Sequence, residues 1–190
     1  MLAVISDGQV EFGGVEYDWK WRLIMNPDDV DIDPLDLALD YIDHMGWDYE
    51  QVDDTQFSVT LKGHWGTYAA TVAWVEQTET LCVVCSLVSE DGSAGKFTPK
   101  PDLFTLLNLI NDSMFTSHFS FWVAEQKVVF KTGLLLSGGQ VPNNDQLENL
   151  IEAAMMMYDQ YLPAFNLVEL GTHTPERALK QALGRTHGRA

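Results

Sequence analysis

Four clusters of residues in this chain have types and spacings that could do chemistry. Cys82-Val83-Val84-Cys85 has the spacing of a redox pair or half a zinc site. Its flanks alternate as a strand does, however, and residues three apart on a strand point to opposite faces. Redox pairs sit at a helix start, and structural zinc needs two further ligands, which the sequence does not offer. Buried core thiols are the reading. Asp29, Asp31 and Asp33 match the first ligands of a calcium loop, but Pro34 stands where that loop requires glycine and Asp40 where it requires glutamate. An acidic cluster at a helix start fits better. His118 near Asp112 and Asn111 is the one group able to form an acid/base couple. The competing reading is a helix-ending histidine bonded to backbone. Finally, Met155-Met156-Met157 resembles an adaptable binding stripe, although consecutive residues cannot share one helix face. No HExxH, GxSxG or phosphate-loop pattern occurs. Nothing here predicts an enzyme or a cofactor, and neither a catalytic residue nor a metal ligand is assigned.

Aromatic residues offer a different chemistry. Trp65, Tyr68, Trp74 and Trp122 fall in or beside strand patterns, and Met156 lies on a helix. If helices cover one side of the sheet only, some of these rings face solvent and are candidates for protein contact, including self-association. Otherwise they are core.

The elements that must position these residues centre on Pro101–Leu136. Leu103, Leu106, Leu107, Ile110 and Met114 recur at helical spacing, and Phe119, Phe121 and Val123 then alternate with Ser120, Trp122 and Ala124. A second β-rich run, Val128 to Leu136, follows a short Glu125-Gln126 link, which predicts a hairpin. Upstream, Asp33-Pro34 predicts a helix start and Gly46 its stop. Four strands follow, over Trp47–Val52, Phe57–Leu61, His64–Glu76 and the run from Leu81 to Leu87. Short links at Asp53-Asp54, Gly63 and Gln77-Thr78 predict an antiparallel meander. In the third strand Tyr68, Val72 and Trp74 share one face. The small Thr67, Ala69, Thr71 and Ala73 share the other, which could lie close to a helix or to another sheet. A third helix is expected from Asn144 to Leu162, ended by Pro163, and a short fourth one opens at Thr174-Pro175. The fold class is therefore α+β, an antiparallel sheet with helices packed on it, in the order helix, four strands, helix, two strands, helix, helix. Met1 to Pro27, with Tyr17, Trp19 and Trp21, reads as an aromatic arm or short strand packed on the body.

With 190 residues, 46% of them hydrophobic, the chain can bury one good core. Its net charge of -17 repels phosphate backbones and anionic lipid, so nucleic-acid and membrane partners are not expected. The first 60 residues hold over half of the 28 acids against Lys20 and Arg22 alone, while Arg177, Lys180, Arg185 and Arg189 make the end weakly basic. There is no signal-peptide pattern and no apolar run of the roughly 20 residues a membrane span needs. A cytoplasmic protein is the expectation.

From Asp33 to about Leu183 the chain resembles the YbjN-like family of bacterial sensory-transduction regulators. The matching residues are Gly46-Trp47, His64-Trp65-Gly66-Thr67-Tyr68, Leu107-Asn108-Leu109-Ile110-Asn111, His118-Phe119, Val128-Val129-Phe130-Lys131, Leu134-Leu135-Leu136 and Pro163-Ala164-Phe165. The order and spacing carry the resemblance; no single motif does. It implies a domain over residues 31–185, with an N-terminal extension (1–30) and a short tail (186–190). It also implies a fold like that of type III secretion chaperones, a homodimer, and no agreed catalytic residues. A non-enzymatic protein-binding or regulatory module with a protein or peptide client follows. The alternative is a small-molecule sensor or enzyme with a polar site at Asn111, Asp112 and His118.

Overall fold

The computed structural model describes residues 10–12, 15–17, 33–89 and 95–186. Two short strands, β1 (Val10–Phe12) and β2 (Val15–Tyr17), pair with each other. The expected packing of the aromatic arm, and Asp29 and Asp31, lie outside the described residues.

Helix α1 (Pro34–Met45) begins as its sequence predicts: the Asp33 carboxylate accepts from the Leu35 amide at 2.8 Å. Gly46 ends it at φ 67°, a left-handed conformation that costs glycine little. Strands β3 (Tyr49–Asp53), β4 (Gln56–Lys62), β5 (Thr67–Val75) and β6 (Thr80–Val88) form the meander, with one 3₁₀ turn, Glu76–Thr78, before β6. Helix α2 (Pro101–Asn111) leads into the hairpin of β7 (Ser117–Trp122) and β8 (Lys127–Leu135). The six strands are antiparallel in the order β3-β4-β5-β6-β8-β7, so β3 and β7 are the edges.

One face of the sheet is the core. Phe57, Val59, Tyr68, Val72, Val83, Cys85, Phe119 and Phe130 pack against residues of all four helices. Helix α3 (Asn144–Glu169) is the central cover and starts with a reciprocal capping box between Asn143 and Gln146. It does not stop at Pro163, as the sequence predicts, but runs six residues further. Proline in a helix interior costs about 3 kcal/mol. Beyond it, Ala164, Phe165 and Val168 are fully buried, with Phe165 edge-on to Phe97 and Phe119. Burying side chains of that size is worth about 1.5–3 kcal/mol each, so packing outweighs the breaker. The Glu169 carboxylate then holds the segment before α2, bonding to Thr98 and pairing with Lys100 at 3.4 Å. Helix α4 (Pro175–Thr186) adds Ala178 and Ala182 to the same core.

Candidate interaction surface

Register decides what lies on the other face. Three rows of directly paired residues cross it: Ser58, Thr71, Val84, Lys131 and His118; Thr60, Ala69, Ser86, Val129 and Ser120; and Gln56, Ala73, Cys82 and Gly133. None belongs to the core formed with the helices. The small-residue face of β5 is thus the face left uncovered by the described helices, while its large residues face them. On β4 to β8 this outer face carries no Asp or Glu, in a chain that has 28. Such a face is half-buried in the centre, with small or β-branched side chains where a solvated sheet normally alternates to charged ones. At its β7–β8 end the Lys131 ammonium lies 5.4 Å from the Trp122 ring centroid. These two chains lean towards each other across the Val129 row, and Val129 is fully buried.

The proposed interface residues are dispersed. Trp122 is on the outer face, half-buried. Trp74 is on the inner face opposite Leu81 and packs at the core margin. Tyr68 is fully buried, which corrects its reading as an interface ring: its face is the one the helices cover. Trp65 is half exposed in the turn between β4 and β5, and Met156 is exposed on α3. That turn is fixed by Asp159, a residue the sequence did not single out. Its carboxylate accepts from the His64 amide at 3.1 Å, the Trp65 amide at 2.7 Å and the Tyr68 hydroxyl at 2.7 Å. Burial, together with this bond and the Asp159 charge, pushes the Tyr68 phenol far above its usual range. A Cβ on Gly63 would lie 2.6 Å from the same carboxylate oxygen, so glycine is needed there. Met156 sits one turn before Asp159 on the same side of α3, which puts it at the same corner as Trp65.

The polar group is dispersed. Asn111 accepts from the Phe119 amide at 2.8 Å and donates to the Phe119 carbonyl at 3.0 Å, so both ends of its side chain are engaged. It stands in for a neighbouring strand at the β7 edge. Asp112 caps α2 and is exposed. His118 points to the outer face beside Lys131, and no hydrogen bond or ion pair joins it to Asn111 or Asp112. The expected acid/base couple is therefore not assembled. Partial desolvation and the Lys131 charge hold the His118 imidazole below the usual histidine range.

Cys82 and Cys85 are free and lie on opposite faces. Burial raises both thiols, that of Cys85 to about 12, which makes poor nucleophiles. Among the described residues no three His, Cys, Asp or Glu side chains converge to hold a metal, and no helix is long and apolar enough to cross a membrane.

No curated protein matches the chain. A solved structure described as "Crystal Structure of the ExsC-ExsE Complex" aligns with 17% identity and a TM-score of 0.46, over 66% of this chain and 90% of that one. The likeness is loose, and nothing about partners follows from it. The family model YbjN, described as "Putative bacterial sensory transduction regulator", matches residues 34–167, which is well over half of the chain and spans the turn held by Asp159, the Asn111 side chain bonded to Phe119, and the whole six-stranded sheet. This chain belongs to the YbjN family.

Proposed function

We propose that this protein is a non-enzymatic protein-binding or regulatory module of the cytoplasm, homodimeric and chaperone-like, whose outer sheet face pairs with that of a second copy. The observation that carries the reading is the absence of acids from the outer face across β4 to β8, the β3 edge with Glu50 and Asp53 lying outside that patch. Two chains of net charge -17 repel each other, so a self-contact needs a surface without carboxylates. Interface cores are depleted of charge in the same way. Five strands at about 4.8 Å spacing and about 25 Å length give about 600 Å² per copy. A face-to-face pair would then bury on the order of 1,200 Å², the lower end of stable interfaces. The side chains of Ala69, Thr71 and Ala73 are short enough for two sheets to approach closely, and Trp122 stands at the rim as an anchor.

Light scattering across concentration tests this reading on the wild type and on Val84→Glu, which puts a carboxylate at the centre of the face. The expected result is a wild-type mass of twice 21.4 kDa and a monomeric, folded variant. A wild-type monomer, or a Val84→Glu dimer, would overturn it.

A further inference from the structure

The two edges of the sheet are treated differently. At β7 the outward amide and carbonyl of Phe119 are closed by Asn111. At β3 the Thr60 amide donates to the Asp48 carbonyl, so residues 48 and 50 face β4 and the backbone groups of Tyr49 and Gln51 face away from it. Among the described residues nothing pairs with those groups. Every residue of β3 is exposed, including Tyr49 (41%) and Val52 (55%). Around them stand the exposed acids Asp43, Asp48, Glu50, Asp53 and Asp54, with no Lys or Arg between positions 43 and 54. Acids on an edge strand prevent two such edges from pairing with each other, because like charges would meet across the new ladder. The same acids favour an incoming strand of opposite charge.

We propose that the β3 edge takes up an extended peptide segment bearing Lys or Arg as a seventh strand; this rests on the protein-binding reading above and names its client chemistry. The incoming residue opposite Glu50 would share the outer face and be basic. Those opposite Tyr49 and Gln51 would share the inner rim and be apolar, against the Tyr49 ring that already meets Phe57 edge-on. The register shift between Gln51 and Asp53, and the Gln51 side chain bonded to the Asp53 carbonyl, close the ladder on that side. The recognised core is thus about three residues, apolar–basic–apolar.

The test uses fluorescence anisotropy of the full chain with a labelled hexapeptide of alternating valine and lysine. Its controls are the valine–glutamate peptide and the valine–lysine peptide N-methylated on alternate amides, which keeps charge and removes ladder donors. The expected result is binding at least tenfold tighter than either control. Glu50→Lys should weaken it at least tenfold and make the valine–glutamate peptide the better ligand. Gln51→Pro, which removes one outward donor, should weaken it without loss of fold by circular dichroism. Equal binding of the N-methylated peptide, no binding of the valine–lysine peptide, or an unaffected Glu50→Lys variant would overturn the proposal. Mass by light scattering on the same samples separates the two readings. A dimer without peptide binding sinks the edge site alone, and a monomer that still takes the peptide sinks the dimer alone.

Discussion

Replacing Asn111 by alanine removes the clip that joins the end of α2 to the β7 edge. Two hydrogen bonds go, at 2.8 and 3.0 Å, both part-buried and both to Phe119, which is itself only 2% exposed. Each is worth a net 0.5–1.5 kcal/mol, roughly, and a donor or acceptor left without a partner adds its desolvation penalty. Water at an edge strand relieves part of that penalty, so the loss comes to about 2 kcal/mol. With a urea slope of about 2 kcal/mol per molar, the unfolding midpoint should fall by about 1 M with the slope unchanged. Asn111→Asp makes a sharper control. It keeps the acceptor for the Phe119 amide but sets an oxygen against the Phe119 carbonyl, and should lose at least as much at pH 7. The assay is urea unfolding followed by circular dichroism. A midpoint within about 0.2 M of wild type for Asn111→Ala would refute the clip and return Asn111 to the pool of free polar groups.

Two further substitutions probe the remaining anchors. Asp159→Ala strips three donors of their acceptor and should cost about 2–4 kcal/mol in the same urea assay, while Gly63→Ala, forced against that carboxylate, should cost about 1–3 kcal/mol. For His118 the folded-state pKa is lowered by desolvation and then by Lys131, so protonation is harder in the folded than in the unfolded chain. Above the unfolded value of 6.5 the residue is neutral in both states and neutral to stability. As pH falls through that value the unfolded chain takes the proton first and the folded state loses ground. His118→Gln should therefore lose less stability than wild type between pH 7 and pH 5, and Lys131→Met should raise the imidazole pKa in an NMR titration. A histidine that titrates at the same pH in Lys131→Met as in wild type would refute the coupling.

Local physics was legible in the sequence and long-range pairing was not. Asp33-Pro34 and Gly46 mark α1 because caps act within a turn of the residue that makes them. Alternation separated Tyr68, Val72 and Trp74 from Ala69, Thr71 and Ala73 correctly, since that is a property of one strand. It could not tell which of the two faces the helices would choose, and so left Tyr68 among the exposed rings. Asp159 binds residues more than 90 positions away, and no local pattern marks such a carboxylate. Asn111 and His118 are near in sequence, yet the turn after α2 sends one to the edge and the other to the outer face. Pro163 misled for the opposite reason: its local cost is real, but Phe165 and Val168 have a core to fill.

Cys82 lies within the outer face between Ala73 and Gly133, where a second copy would cover it. Its alkylation by iodoacetamide should be followed in native protein over a wide range of concentration, with the buried Cys85 as the internal reference. The dimer predicts that Cys82 becomes progressively protected as concentration rises, in step with the mass from light scattering, and that Val84→Glu abolishes the protection. A Cys82 rate independent of concentration would contradict it. If that rate were also low in a monomer, the chain would cover the face with its own residues.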